Sequence, residues 1–272
     1  MHPARQTWTL ISSLLFNNYT NLSDMKKLII TLAVILATFS AFTAKAQVQP
    51  GSYWSIFGGV SVPAGEFAKS FYGNFLDGTI DNKAGFAKTG YTVGLDGAWY
   101  IHKTNWAIAA TVSYQDQGQL SANDAHTLAA GYQDAFGTDL GQATSHGRYQ
   151  NLNVLVGPQY SFVFSKLTVD VRANVGIVKS FSTPEMDIVV TDGGIPHPFA
   201  QLSSTASAFA YGGSADLRYK LSKKLGIVLK ENYVASPGIA ITNTDRVNNA
   251  GRLDTKQPIS IFQTTLGLNF GF

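Results

Sequence analysis

Residues 91–114 read "YTVGLDGAWYIHKTNWAIAATVSY". Up to Ile101, one set of alternate positions is Tyr91, Val93, Leu95, Gly97, Trp99 and Ile101, and the other is Thr92, Gly94, Asp96, Ala98 and Tyr100. His102-Lys103-Thr104 breaks the pattern. It then resumes with Trp106, Ile108, Ala110, Val112 and Tyr114 set against Ala107, Ala109, Thr111 and Ser113. A side-chain period of two belongs to a β-strand, whose successive residues face opposite sides. Two such runs joined by three polar residues predict a hairpin.

The same rhythm runs through the chain, and helical periodicity is nearly absent. It predicts eight strands near 52–61, 89–101, 105–117, 148–163, 167–182, 204–221, 225–236 and 258–272. The seventh fits worst, because Glu231 falls on its apolar face and Val228 on its polar face; a bulge or a different boundary is expected there. Three connections are tight and polar: His102-Lys103-Thr104, Ser165-Lys166 and Ser222-Lys223-Lys224. They alternate strictly with four long ones, near 62–88, 118–147, 183–203 and 237–257. In an antiparallel up-and-down barrel this alternation puts every long loop at one end. No linker divides the pattern, so one domain is expected.

Alternation does not say which face is inside, but volume does. An eight-stranded barrel has an interior that side chains alone can fill. The apolar set includes Tyr91, Trp99, Trp106, Tyr160, Phe209 and Tyr211, whose bulk exceeds that interior. The opposite set is small or polar, with Gly94, Ala98, Ala109, Gly157, Gly176 and Gly212. The small set therefore belongs inside and the aromatic set outside, against lipid, with aromatics gathered near both strand ends as in the girdles of membrane barrels. The inward faces also carry Asp96, Asp170, Arg172, Asp216, Arg218 and Lys230. Opposite charges in a narrow lumen pair with one another, so these six are expected to form a network that plugs the barrel. The closing stretch "TTLGLNFGF" follows the same logic. An open sheet edge is not tolerated in hydrocarbon, so the last strand closes on the first, and its lipid face (Phe262, Leu266, Leu268, Phe270 and Phe272) runs to the final residue.

Met25 opens "MKKLIITLAVILATFSAFTAKAQ": two lysines, an apolar run from Leu28 to Phe42, and the small-x-small junction Ala44-Lys45-Ala46. That pattern is a signal peptide, residues 25–46, with residues 1–24 expected to be an upstream start-site extension and 47–272 the barrel domain. Of 20 basic and 17 acidic residues, four and one lie before Gln47, which leaves 16 of each. The net charge of +3 thus belongs to the leader, and nucleic acid is not an expected partner. With no cysteine, an exported chain builds no disulfide framework and offers no thiolate to a metal.

From these residues the chain resembles the small outer-membrane β-barrel proteins of Gram-negative bacteria, of the OmpA-transmembrane and OmpX-like kind. The likeness spans residues 47–272, and "GGVSVPAGEFAKS" (58–70) with the "AKAQ" junction is similar to the barrels common in Bacteroidetes. The resemblance implies short periplasmic turns and long outer loops. It also implies that residues 262–272 are read by the barrel-assembly machinery. Partners on this reading are outer-membrane lipid, lipopolysaccharide and an external ligand on the loops. Full-length OmpA-type proteins continue into a peptidoglycan-binding domain, and a cell-wall tether is not carried over here.

Some barrels of this architecture are enzymes at the outer rim, acting on lipids or peptides. His126 and His146 lie in the second long loop near Ser121, Asp124, Asp134, Asp139 and Ser145. No spacing among them matches a motif with a mechanism, so no catalytic residue is assigned and no enzyme is expected. Asp187 with Asp192, or Asp77 with Asp81, lacks the regular spacing of a calcium loop; no metal or cofactor is assigned. Phe67, Phe71, Tyr72, Phe75 and Leu76 form an aromatic patch in the first long loop and are expected to cap the barrel mouth. The rival functions are a narrow pore, a transporter of small hydrophobic molecules, and a rim lipid-modifying enzyme or protease.

Overall fold

The alternating runs form long strands. In order these are β1 (Tyr53–Pro63), β2 (Gly90–Tyr100), β3 (Trp106–Asp116), β4 (Asp139–His146), β5 (Gln150–Phe164), β6 (Leu167–Ser182), β7 (Glu185–Asp192), β8 (Ile195–Gln201), β9 (Ser207–Lys220), β10 (Leu225–Ile241), β11 (Asn243–Asp245) and β12 (Thr255–Gly271), with one helical turn, α1 (Gly65–Ala68). The computed structural model describes residues 50–70, 84–127, 130, 139–241, 243–245 and 255–272. The expected leader, residues 1–46, lies outside them, as do Phe71, Tyr72, Phe75, Leu76, Asp77, Asp81 and Asp134.

Eight strands close into an antiparallel barrel in the order β1-β12-β10-β9-β6-β5-β3-β2. Closure is carried by β1 on β12, from Tyr53 opposite Gly271 to Pro63 opposite Ile261. All eight expected barrel strands are present. A closed ladder leaves no barrel edge unpaired, the condition for a sheet surrounded by hydrocarbon. The β5–β6 ladder is interrupted: β5 pairs with β6 up to Val156–Val175 and again from Gln159–Arg172. Pro158, which has no N–H to donate, occupies the gap.

The sequence pattern assigns no strands to the long connections, and within them β4, β7, β8 and β11 form a second, four-stranded sheet in the order β11-β8-β7-β4. Its β7–β8 hairpin turns on Gly193 and Gly194, both at positive φ (54° and 83°), as a two-residue turn of the twist-matching type requires. The bulge or different boundary expected for the seventh strand is found, though not at Glu231: the strand runs on to Ile241. β10 alternates without a break through Glu231, and its register shifts instead between Ser236 and Ile239, around Pro237-Gly238. Glu231 does face outward and Val228 inward; the strand accommodates both without bending.

The outer surface of the barrel is apolar and open: Trp99, Ile108 and Leu266 are 53%, 56% and 63% exposed. Among the described residues, Glu231 is the one carboxylate exposed on the outward faces of the eight strands. Inside, the lumen is layered. Charged side chains fill the half toward the short turns. Amides sit above them, where Gln115 Oε1 accepts from Asn153 and Gln263, and Gln263 Oε1 accepts from Asn232. An apolar plug closes the end toward the long loops.

Candidate functional site

Charged residues two apart on a strand share a face. β6 supplies Asp170 and Arg172, β9 supplies Asp216 and Arg218, β2 supplies Asp96 and β10 supplies Lys230, and all six side chains are buried. Register places Asp170 directly opposite Asp216, a like-charge pair that is unfavourable unless cations intervene. They do. Arg218 donates to Asp170 from Nε and Nη2, at 2.5 and 3.0 Å. Arg172 crosses the lumen and grips Asp96 with both terminal nitrogens, at 2.5 and 2.7 Å. Lys230 Nζ donates to the same carboxylate at 3.0 Å, and Thr111 adds a hydroxyl at 2.6 Å. Asp216 takes an ion-pair contact of 2.9 Å from Arg172 but no aligned hydrogen bond. Three carboxylates and three cations are thereby held in one neutral cluster.

Uncharged side chains complete it. Tyr53 Oη accepts from Arg172 at 2.6 Å and donates to Gln159 at 3.2 Å, while the Arg218 guanidinium lies 3.9 Å from the centre of the Tyr53 ring. Tyr100 Oη accepts from Arg218 at 2.8 Å and from Gln159 at 2.9 Å. Ser161 donates to Asp170 at 2.5 Å. None of Tyr53, Tyr100, Thr111, Gln159 and Ser161 was singled out from sequence. Tyr53 gave no signal of its own: it shares the inward face of strand 1 with Ser55, Gly59 and Ser61, but it and Phe57 are as bulky as the outward Trp54 and Ile56.

The plug at the other end joins loop residues to strand residues. Phe67 of α1, Phe86, Leu120 and Tyr149 pack with Val178 and Ile261. Tyr149 meets Phe67 edge-on with ring centres 4.9 Å apart, and its hydroxyl donates to the Gly85 carbonyl at 2.7 Å. Burial holds the Tyr149 phenol above its ordinary pKa, so it remains a donor. The returning chain pairs with α1 through Gly85 N to Glu66 O and Ala87 N to Phe67 O. A Cβ on Gly85 would fall 2.5 Å from the Phe67 carbonyl, so only glycine fits there. Phe67 thus caps the barrel mouth from within.

The remaining candidates do not converge. Ser121 and Asp124 exchange hydrogen bonds with each other's backbone or side chain (Ser121 N to Asp124 Oδ2 2.9 Å, Asp124 N to Ser121 Oγ 3.1 Å), the capping box of a helical turn at 122–127. His126 on that turn is exposed, and His146 lies at the end of β4 opposite Glu185, also exposed. Asp187 is exposed on β7, and the side chain of Asp192 lies outside the described residues. No group of three or more potential metal ligands occurs among the described residues. Phe262, Leu266, Leu268 and Phe270 lie on the outward face of β12, with Phe272 just beyond it and 70% exposed. Phe270 stacks on Trp54 of β1 across the closing seam, ring centres 4.4 Å apart.

No family model and no curated protein matches the sequence. Among solved structures the chain is similar to neisserial surface protein A (8% identity, 83% of this chain and 100% of that chain, TM-score 0.42). A major outer membrane protein from Thermus thermophilus gives 14% identity, 82% and 100% coverage, and TM-score 0.43. Ail, the attachment invasion locus protein of Yersinia pestis, solved with the heparin analogue sucrose octasulfate, gives 11% identity, 83% and 100%, and 0.35. The barrel assignment itself rests on the strand ladders described above.

Proposed function

We propose that this chain is an integral outer-membrane barrel of a Gram-negative bacterium, exported by residues 25–46, with a closed lumen and a surface-interaction role carried by its long-loop end. The observation that carries the reading is the pairing of a closed ladder with an outward apolar face. Soluble monomers rarely expose so continuous an apolar belt, and a membrane barrel requires one. The closed lumen follows from the charge cluster. A permeating ion would have to break bidentate contacts between buried charges, which is strongly unfavourable. The barrel is then a rigid mount. The β4, β7, β8 and β11 sheet and the capped mouth are what it presents, toward lipopolysaccharide or a soluble ligand. On this reading the outward face of β12, from Phe262 to Phe272, is what the assembly machinery recognises, and the chain performs no catalysis.

Because the chain has no cysteine, single cysteines report sidedness directly. Thr144→Cys marks exposed β4 and Lys223→Cys marks a short turn. In intact cells a membrane-impermeant maleimide should label position 144 and not 223, with 223 labelled after lysis. Labelling at neither position until the outer membrane is opened would overturn the reading. Steady ohmic conductance of the refolded barrel in planar bilayers would overturn the closed lumen.

A further inference from the structure

The two ends of the barrel treat their surface charges differently. At the long-loop end three cations have acidic partners, Lys88 with Asp124 at 2.9 Å, Arg148 with Asp116 at 2.8 Å, and Lys69 with Glu66, while Lys179 donates to the Thr205 carbonyl and Lys256 is exposed. At the other end, the three short turns and the adjoining strand end carry Lys103, Lys166, Lys220, Lys223 and Lys224, and no Asp or Glu. All five lysines are exposed, and none forms an ion pair among the described residues. Two of them are neighbours: Lys220 N donates to Lys166 O at 2.8 Å, which sets the last residue of β9 beside the turn between β5 and β6. Like charges held side by side repel. A rim built this way is stabilised by an anion supplied from outside.

What lies beneath the lysines says which anion. Ile101 and Leu221, each 54% exposed, and Trp106, 50% exposed, stand on the barrel wall next to these turns. Long lysine side chains keep their stems on apolar surface and lift their ammonium groups into the polar layer. At the edge of an apolar, aromatic-girdled wall that layer is the lipid headgroup region, where a cluster of lysines attracts anionic lipids. We infer that the short-turn rim of the barrel is a binding surface for anionic phospholipid headgroups in the adjacent leaflet, with Lys166, Lys220, Lys223 and Lys224 as its core and Lys103 across the rim. At the loop end, by contrast, Asp116, Asp124 and Glu66 stand among the cations. This inference rests on the membrane-spanning reading and gives the rim its lipid partner.

The test is lipid selectivity at the protein boundary. The full chain is refolded into phosphatidylcholine vesicles, and spin-labelled phosphatidylglycerol and spin-labelled phosphatidylcholine are compared by electron spin resonance. The expected result is a several-fold excess of immobilised phosphatidylglycerol that falls toward parity in 0.5 M salt, a concentration that shortens the screening length to about 4 Å. Replacing the four core lysines by glutamine should abolish the excess, and replacing them by arginine should retain it. An excess that survives in the glutamine variant, or equal immobilisation with the unaltered chain, overturns the inference. Displacement of the labelled lipid by inorganic phosphate more than by chloride at equal ionic strength would assign the site to the free ion and overturn the lipid. No lipid preference together with binding of a poly-glutamate peptide would make the partner an acidic chain instead. Failure of the barrel to insert into either vesicle would strike the membrane-spanning reading itself, a result distinct from insertion without preference.

Discussion

Arg172 and Asp96 are 76 positions apart in sequence, and two guanidinium nitrogens of the one meet two carboxylate oxygens of the other at 2.5 and 2.7 Å inside the barrel. Lys230 reaches the same carboxylate. Removing Asp96 therefore leaves three buried cations facing two carboxylates, Arg172 keeping only its carboxylate contact with Asp216, whereas removing Asp96 and Arg172 together leaves Lys230 opposite Asp216 and Arg218 on Asp170, a neutral lumen. Asp96→Leu is expected to destabilise the barrel by about 3–5 kcal/mol. The double substitution with Arg172→Met should lose less than the single. Urea unfolding in vesicles checks both; a double variant weaker than the single would show that the pair holds the fold by more than charge balance.

The Tyr149 hydroxyl makes a single, buried bond to the Gly85 carbonyl. Tyr149→Phe keeps the ring on Phe67 and leaves that carbonyl unpaired, at about 1–3 kcal/mol. The loss is local to the mouth cap. Hydrogen exchange should accelerate at the amides of Gly85, Phe86 and Ala87 and stay unchanged in β9 and β10. Uniform acceleration across the barrel would mean that the cap and the wall unfold as one unit.

At Asp124, burial pushes the carboxyl pKa up, but hydrogen bonds from Ser121 and Lys88 outweigh it and hold the net value below the ordinary carboxylate range. A carboxyl lowered in the folded state contributes stability above its unfolded value of about 3.9 and loses it as pH falls through the folded value. The helical turn at 122–127 should therefore be intact at neutral pH and fray below about pH 4. Amide exchange at Asp124 and Ala125 across that range is the measurement. Asp124→Asn should fray the turn at every pH and flatten the profile.

Strands β2, β3 and β6 were legible because their two faces differ in kind, with Trp99 and Ile108 on one side and Ala98 and Ala109 on the other. The six lumen charges were legible for the same reason, as polar residues in phase with the small ones. In β1 the inward face is marked by Ser55, Gly59 and Ser61, but Tyr53 and Phe57 on that face are as bulky as Trp54 and Ile56 on the other. That hid Tyr53, which binds one arginine and stacks beneath another. The β7–β8 hairpin had a signal that went unused. Gly193-Gly194 between two short alternating runs is a two-residue turn, but Pro196 and Pro198 disguised the second run as a loop. Proline is tolerated there because, among the described residues, β11 pairs with β8 only at Phe199–Gln201, so Pro196 and Pro198 have a strand partner on one side alone.

Glu231 is the remaining departure from pattern, a carboxylate on the lipid side of β10 between Leu229 and Tyr233. Its exposed carboxylate accepts a hydrogen bond at 2.8 Å from Thr264 Oγ1, the residue directly opposite on β12. One hydroxyl does not replace the hydration that a carboxylate loses in hydrocarbon, and charged groups on the lipid face of a barrel destabilise it most near mid-depth. Glu231→Leu is therefore expected to stabilise the barrel in vesicles by about 1–2 kcal/mol. In detergent, where water reaches the wall more readily, the gain should shrink. Urea unfolding in both media separates these cases. If the leucine variant is instead weaker in vesicles, the carboxylate must be contacting something other than lipid. The outward face at Glu231 and Thr264 would then be a contact surface between barrels rather than a flaw in the wall.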